Sequence, residues 1–179
     1  LWTAYDNLNN HKYQASLLTI GNRKPNITST SLTTDDTLNR TNANLTSNWL
    51  WSDEDDEDQI QLNWTKWYKD NEEQTTLENK TFIEASNTTK YEEWFFSISV
   101  YDGFNWSDWS NSSNITIENT PPTQPNSVII TPNNIYTNEI ITCTATGEKD
   151  PDIEDDIIYY YEFNDSNNGT LQEWNTNNS

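Results

Sequence analysis

The sequence has a single histidine, no methionine and no long apolar run, and each absence excludes a class of protein. His11 lies in a polar segment, and no G-x-S-x-G, phosphate-loop or zinc-site spacing accompanies it. We therefore predict that the chain has no catalytic residues and is not an enzyme. A membrane helix needs about 20 apolar residues in a row, so we expect no membrane insertion in this segment. With neither an initial methionine nor a signal peptide, the chain is expected to be processed or cut from something longer.

Basic residues are also scarce, because 9 Lys and Arg stand against 29 Asp and Glu, for a formal net charge of -20. Such a surface repels nucleic acid and anionic lipid, so we expect neither as a partner. Hydrophobic residues make up only 32% of the chain, and low hydrophobicity with high net charge is typical of disorder. The nine Trp, nine Tyr and five Phe favour a fold instead, because each large ring can bury roughly 150–250 Å² of surface.

An internal repeat is the strongest pattern in the sequence. Three pairs of segments match at an offset of 96 or 97 residues: 53–64 with 150–161, 18–25 with 115–122, and 4–6 with 100–102. The first pair shares the pattern D-x-D-x-E-D-x-I. A period of this length is the size of one immunoglobulin-like β-sandwich.

The phase of the repeat divides the chain into three parts. We predict final strands of a preceding repeat at 1–21, a complete repeat at 22–120, and the first strands of the next repeat at 121–179. The Pro-rich segment 120–125 is expected to link two repeats, because proline cannot continue a strand ladder.

Alternating apolar residues predict strands, and no segment has a helical period. The predicted strands are 96–101, 114–117, 127–130, 139–144 and 157–163. The predicted fold class is therefore all-β, with tandem immunoglobulin-like (PKD/fibronectin-like) β-sandwich domains.

Five motifs follow one another in a fixed order: a Pro-rich start, a T-N-x-I-T-C-type strand, an acidic D-x-D stretch before an aromatic strand, a Y-D-G turn and a final T-I-x-N-x-P-P. The first three lie at 121–122, 137–143 and 150–163, in the later repeat. The last two lie at 101–103 and 116–122, at the end of the earlier repeat. This order resembles the immunoglobulin-like, PKD-like tandem repeats of archaeal surface proteins. The resemblance covers nearly the whole chain, and it implies a structural, glycosylated role on a cell surface.

Acidic residues recur at one position of each repeat. Ca²⁺ takes six to eight oxygen ligands, and two or three carboxylates from one loop supply a good share of them. The candidate calcium ligands are Asp53, Asp55 and Asp58 in one repeat and Asp150, Asp152 and Asp155 in the next. A solvated acidic loop without metal is the alternative, because the EF-hand spacing and its glycine are missing. No other cofactor is expected.

Four tryptophans form two pairs at i, i+3 spacing: Trp64 with Trp67, and Trp106 with Trp109. Exposed pairs would stack on sugar rings, whereas packing in the core or between domains is the favoured alternative, because Trp is normally largely buried. The segment 106–110 also matches the W-S-x-W-S signature of cytokine-receptor fibronectin domains, in which the rings stack with arginine. Residues 95–101 contain no arginine, so we do not expect the same cation–π ladder here.

Asn-x-Ser/Thr sequons number twelve, about twice what 27 Asn and 40 Ser and Thr predict by chance. A sequon is glycosylated only in an exported protein and at an exposed position. The large number of sequons therefore favours an extracellular protein with covalent N-glycans. The candidate N-glycosylation sites are Asn26, Asn39, Asn44, Asn63, Asn79, Asn87, Asn105, Asn111, Asn114, Asn164, Asn168 and Asn177.

The only cysteine, Cys143, lies where an immunoglobulin domain places the first cysteine of its disulfide. It is either half of a bridge whose partner lies outside this chain or a small buried apolar residue, as free cysteines commonly are. The second interpretation is favoured, because the complete repeat contains no cysteine.

Together these patterns predict an extracellular, cell-surface structural module of a filament, sheath, S-layer or long adhesin. Its expected partners are copies of itself or neighbouring repeats in a polymer. Strand complementation between subunits is one way of joining them, and a single long covalent chain is the other. The alternative function is a glycan- or partner-binding adhesin module that uses exposed tryptophan pairs.

Overall fold

The computed structural model describes residues 2–5, 11–14, 20–55, 59–136, 138–165 and 169–176, and within these ranges it confirms an all-β fold without α-helices. The strands are β1 (Trp2–Tyr5), β2 (His11–Gln14), β3 (Asn26–Thr34), β4 (Leu45–Ser52), β5 (Leu62–Lys69), β6 (Glu72–Glu73), β7 (Phe82–Ile83), β8 (Glu93–Tyr101), β9 (Ser110–Asn111), β10 (Ile115–Thr116), β11 (Ser127–Thr131), β12 (Thr142–Thr146), β13 (Tyr160–Asp165) and β14 (Gly169–Thr176). Two single 3₁₀ turns, Thr75–Leu77 and Ala85–Asn87, flank β7.

Two antiparallel sheets between residues 26 and 116 face each other across one core. The first has the order β3-β4-β7, and the second has the order β10-β8-β5-β6, with β9 also paired to β8. The other described strands form three separate antiparallel pairs, β1-β2, β11-β12 and β13-β14.

The core is built from alternate side chains of both sheets, because successive residues of a strand point to opposite faces. Its buried members are Leu32, Leu45, Trp67, Leu77, Ile83, Trp94, Phe96, Ile98, Val100 and Ile117. Full burial of one such side chain contributes about 1.5–3 kcal/mol. Burial of both inner faces gives a β-sandwich-like arrangement, in which a few aromatic rings compensate for the low aliphatic content.

Each predicted strand has an observed counterpart, but the two differ at their ends. Residues 96–101 lie within β8, and 127–130 lie within β11. The strand predicted at 139–144 begins only at Thr142, and the one predicted at 157–163 begins only at Tyr160. The Pro-rich segment 120–125 lies outside every strand, as predicted.

The pairing of β3 with β4 recurs further along the chain. Thr30 lies opposite Trp49, and Ser127 lies opposite Thr146, so both partners are 97 residues further on. The other four pairs of β11-β12 follow the same offset. The repeat found in the sequence thus corresponds to a recurring backbone pairing.

A second recurrence involves the first strands of the chain. Trp2 lies opposite Gln14 in β1-β2, and Ile98 lies opposite Ser110 in β8-β9, which is an offset of 96 for both partners. The β1-β2 pair therefore has the register of the final strands of the sandwich.

Candidate functional site

The acidic turn at 150–155 brings three carboxylates together. One oxygen each of Asp150, Asp152 and Asp155 lies within 4.8 Å of the others. Asp152 is buried, and its Oδ2 accepts the backbone N–H of Thr120 at 2.8 Å, while Asp150 Oδ1 accepts the backbone N–H of Asp152 at 2.9 Å. The turn is therefore bound to the chain at Thr120, which follows the last strand of the sandwich.

Lys90 supplies a positive charge to this turn from the sandwich. Its Nζ donates a hydrogen bond to Asp155 and another to Asn119 Oδ1, the latter at 3.3 Å. The hydrogen bond to Asp155 raises the pKa of Lys90, against the opposing effect of burial. Sequence reasoning missed this lysine, because 65 residues separate it from Asp155 and no local pattern marks the contact.

The earlier acidic turn repeats the same contacts 97 residues before. Asp53 Oδ1 accepts the backbone N–H of Asp55 at 2.9 Å, and Asp55 Oδ2 accepts the backbone N–H of Arg23 at 2.7 Å. Asp53 Oδ2 is buried without a hydrogen-bond partner. Asp58, the third predicted ligand, lies outside the described residues.

The calcium prediction stays a prediction at both turns. Within the described ranges, only the turn at 150–155 gathers three carboxylates closely enough to share one ion. Three carboxylate oxygens are half of the smallest calcium coordination shell. Lys90 already neutralises part of this charge, so a calcium ion would compete with its ammonium group.

Trp64, Trp106 and Trp109 form one exposed cluster across the outer face of the second sheet. The Trp64 ring centroid lies 6.3 Å from that of Trp106 and 6.0 Å from that of Trp109, both edge to face. The three side chains are 41%, 40% and 46% exposed. The structure thus joins one tryptophan of the first predicted pair to both members of the second.

Trp67 has to be removed from the candidate sugar-stacking residues. It is 0% exposed and donates its Nε1–H to the carbonyl of Lys80 at 2.8 Å. Residues three apart in a strand face opposite sides of the sheet, so Trp64 points outward and Trp67 points into the core. For Trp67 the core-packing alternative applies.

A lysine lies over two rings of this cluster. Lys66 Nζ lies 5.8 Å from the Trp64 ring centroid and 5.5 Å from that of Trp109, within cation–π range. A hydrogen bond to Glu73 raises the pKa of Lys66, while burial opposes the increase. The cation comes from the neighbouring strand β5 and not from residues 95–101, so the sequence did not predict it.

Other side chains of the protein already contact some of the ring faces in this tryptophan cluster. Lys66 caps Trp64 and Trp109, and Tyr101 stacks on Trp106 with centroids 5.2 Å apart and planes at 29°. A sugar ring would find fewer open faces than the exposure of the tryptophans suggests.

The described sequons differ in exposure. Asn39 and Asn44 are half-buried, and Asn168 and Asn177 lie outside the residues whose structure is described. The exposed sequon asparagines are Asn26, Asn63, Asn79, Asn87, Asn105, Asn111, Asn114 and Asn164. Cys143 is a free, half-buried thiol in β12.

No family model matches this sequence, and no curated protein matches it. No helix in the described ranges is long and apolar enough to cross a membrane.

Proposed function

We propose that the chain is a structural repeat segment of an extracellular, glycosylated cell-surface filament, sheath, S-layer or long adhesin. It is built of immunoglobulin-like, PKD-like β-sandwich repeats joined end to end. The observation that carries this proposal is one recurring turn: Asp55 binds the backbone of Arg23, and Asp152 binds that of Thr120, 97 residues further on. An end-to-end array needs each unit to make the same contacts with the segment in front of it.

The contacts at the start of the second unit support a fixed junction. Asp152 holds Thr120 at the end of the sandwich, and Lys90 of the sandwich holds Asp155. Hydrogen bonds and ion pairs at such a junction would fix the orientation of the next unit relative to the first. A load-bearing or space-filling polymer requires a fixed orientation of this kind.

The surface chemistry supports an extracellular setting. Among the described residues, eight sequon asparagines are exposed, and the net charge of -20 would keep neighbouring polymers apart through repulsion. N-linked glycans on those positions would add bulk and solubility in the same places.

Cell fractionation with intact-mass and glycopeptide analysis of the native protein tests the proposal. We expect the protein in the extracellular or cell-envelope fraction, with glycans on exposed sequons. After deglycosylation, a mass near that of the 179 residues would indicate separate subunits, and a mass many times larger would indicate one long tandem-repeat chain. A cytosolic protein with unmodified sequons would overturn the proposal.

A second candidate function is glycan binding by the exposed cluster of Trp64, Trp106 and Trp109. Its support is the 40–46% exposure of the three rings, because aromatic faces are suited to stacking on apolar faces of sugars. A glycan array with the wild-type chain, Trp106→Ala and the exposed control Phe104→Ala tests it. Binding that is lost only in Trp106→Ala supports the function, and no binding by the wild type excludes it.

A further inference from the structure

One lysine of the sandwich contacts a carboxamide and a carboxylate at the same time. Lys90 Nζ donates a hydrogen bond to Asn119 Oδ1 at 3.3 Å and another to Asp155 Oδ1. The Lys90 side chain is 20% exposed and that of Asp155 is 25% exposed, while Asn119 is half-buried. An amine, a carboxamide and a carboxylate therefore meet at a place that is largely shielded from water.

The backbone holds the amine and the carboxamide next to each other. Strands β8 and β10 are paired, and beyond their ends the Tyr91 N–H donates to the carbonyl of Ile117 at 2.6 Å. Lys90 precedes Tyr91 and Asn119 lies two residues after Ile117, so both are at the same end of this strand pair. Because the sheet fixes both backbones, little further entropy is lost when the two side chains meet.

The acidic turn places its carboxylate against this lysine. The Asp155 N–H donates to the carbonyl of Asp152 at 2.8 Å. Asp152 is buried, and its Oδ2 accepts the N–H of Thr120, the residue after Asn119, at 2.8 Å. The turn is therefore bound to the same stretch of backbone that carries the carboxamide.

We propose that this site forms a covalent cross-link, an amide bond between Lys90 Nζ and Asn119 Cγ. The lysine nitrogen attacks the carboxamide carbon, the C–N bond of the asparagine side chain breaks, and its nitrogen leaves as ammonia. Asp155 accepts a proton from the attacking nitrogen and returns one to the leaving nitrogen, as a general base and then a general acid. In sum, an ammonium group and a carboxamide give a secondary amide and an ammonium ion, so no oxidant, cofactor or net proton is needed.

The carboxamide is the better acyl group of the two that Lys90 contacts. Asp155 carries a negative charge, and a carboxylate carbon resists attack by a nucleophile. The neutral carboxamide of Asn119 exchanges one amide bond for another, and the ammonium ion escapes into water. Well-oriented neighbouring groups react as though one of them were present at roughly 10⁵–10⁸ M.

A bond at this place would anchor the last strand of the sandwich. β10 pairs with β8 at two residues and then leads through Asn119 to the Pro-rich segment 120–125. The bond would resist separation of β10 from β8 when the chain is under tension. It would also close the chain between 90 and 119 and so restrict the unfolded state, as a disulfide does. Its formation needs only the fold, so it does not depend on the proposed function.

The mass of the full 179-residue chain, expressed without glycosylation and measured after denaturation and reduction, tests the proposal. We expect the wild type to be lighter than its sequence by about 17 Da, the mass of the ammonia that leaves. Cleavage after glutamate distinguishes the cross-link from an imide formed by Asn119 alone, which has the same mass. Because Glu92, Glu93 and Glu118 lie between the two residues, only cross-linked protein keeps Lys90 and Asn119 in one peptide.

Three variants and a matched control assign the roles, and near-UV circular dichroism checks that each is folded. Lys90→Arg and Asn119→Ala should retain the full sequence mass, because each lacks one of the joined groups. Asp155→Ala should form the bond at least about tenfold more slowly after refolding, since general acid–base catalysis contributes roughly 10²–10⁴-fold. Lys66→Arg should keep the cross-link, because Lys66 is also a partly buried lysine but pairs with Glu73.

A folded wild type of full sequence mass, or one that has lost ammonia without a joined peptide, would overturn the proposal. So would a loss of about 18 Da, the mass of water, with Lys90 joined to Asp155. A cross-link that survives in Lys90→Arg or Asn119→Ala would contradict the assigned atoms, and an unchanged rate in Asp155→Ala would contradict the assigned catalyst. Protein without the bond keeps the ion pair between Lys90 and Asp155, so the salt dependence of that ion pair is measured in Asn119→Ala.

Discussion

At the residue scale, Asp102 shows how one buried carboxylate stabilises a turn. It is 2% exposed. Its Oδ1 accepts the backbone N–H groups of Phe104 at 2.6 Å and Asn105 at 2.7 Å, and its Oδ2 accepts from Asn22 Nδ2 at 3.1 Å. Burial alone would raise the pKa of Asp102, but the hydrogen bonds from Asn105, Phe104 and Asn22 outweigh it and lower the pKa. The Y-D-G turn thus needs aspartate for its acceptor capacity.

We expect Asp102→Asn to lower the free energy of unfolding by about 1–3 kcal/mol at neutral pH, because the amide nitrogen that replaces Oδ2 is a donor and cannot accept from Asn22. A carboxylate whose folded pKa is lowered stabilises the fold fully above its unfolded pKa of about 3.9. That contribution is lost as the pH falls through the lower folded pKa. The difference between wild type and variant should therefore shrink in acid.

Urea denaturation of both proteins at neutral pH and at about pH 3 measures this difference. The exposed Asp108→Asn is the matched control and should change little. A difference that stays constant across the two pH values would contradict the assigned role of Asp102.

Asn44 is a sequon asparagine whose carboxamide already makes two hydrogen bonds within the fold. Its Nδ2 donates to Asp35 Oδ2 at 2.7 Å, and its Oδ1 accepts the backbone N–H of Ala85 at 2.9 Å. The backbone N–H of Asn44 and then its carboxamide lower the pKa of Asp35. A glycan on Nδ2 would displace these contacts.

We therefore expect Asn44 to be unmodified in folded protein from a glycosylating host, whereas the exposed Asn26, Asn63 and Asn111 accept glycans. Glycopeptide mapping, with conversion of Asn to Asp during enzymatic deglycosylation, measures the occupancy of each site. Full occupancy of Asn44 in folded material would show that its carboxamide is not needed for the fold.

At the scale of the element, the segment 106–112 runs along the edge of β8 and pairs with it partly through serine hydroxyls. Ser107 Oγ accepts the backbone N–H of Val100 at 3.0 Å, and Ser112 Oγ accepts that of Phe96 at 3.1 Å. The hydroxyls take the place of carbonyl acceptors where the segment departs from regular pairing. Ser97 and Ser99, on the face of β8 away from the core, are also buried, and Ser99 Oγ donates to the carbonyl of Ser107 at 3.0 Å.

Ser107→Ala should destabilise the sandwich by about 1–3 kcal/mol, because the buried N–H of Val100 loses its acceptor. Ser110→Ala, the other serine of the W-S-D-W-S segment, should change stability by less than about 0.5 kcal/mol. Thermal and urea unfolding of the two variants give the comparison. Equal effects of the two substitutions would mean that the hydroxyl of Ser107 does not act as a strand partner.

At the scale of the whole molecule, polar contacts join the sandwich to the acidic turn at 150–155. Lys90 reaches Asp155 and Asn119, and Thr120 is held by Asp152. The contact between Lys90 and Asp155 joins opposite charges, so we expect salt to weaken it.

Lys90→Met should lower the melting temperature at low salt, because Asp155 loses its counter-charge, and the loss should shrink at high salt. Lys24→Met, whose exposed partner is Asp108, is the matched control and should have a smaller effect.

Thermal unfolding of the wild type with and without EDTA tests the calcium prediction. A melting temperature that EDTA leaves unchanged at low ionic strength would refute it.

Several features could be predicted from the sequence, because they depend on local pattern. The alternation in 96–101 predicted a half-buried strand. The structure confirms a strand there, as part of β8, but residues 96–100 are buried on both faces. Pattern alone could not place strand ends, since β12 and β13 begin where cross-strand hydrogen bonds start and not where apolar residues start. The D-x-D turns were recognised, but their partners Arg23 and Thr120 were not.

The sequence by itself determined the all-β character, the repeat length near 97 and the acidic turns, because alternation, self-similarity and charge are properties of the linear chain. Tertiary structure decided which tryptophans meet and which are buried, since Trp64 and Trp67 differ only in the face of β5 from which they project. It also placed Lys66 over the rings of Trp64 and Trp109 and Lys90 against Asp155. Those contacts join residues up to 65 positions apart, and only the packing of distant strands brings such residues together.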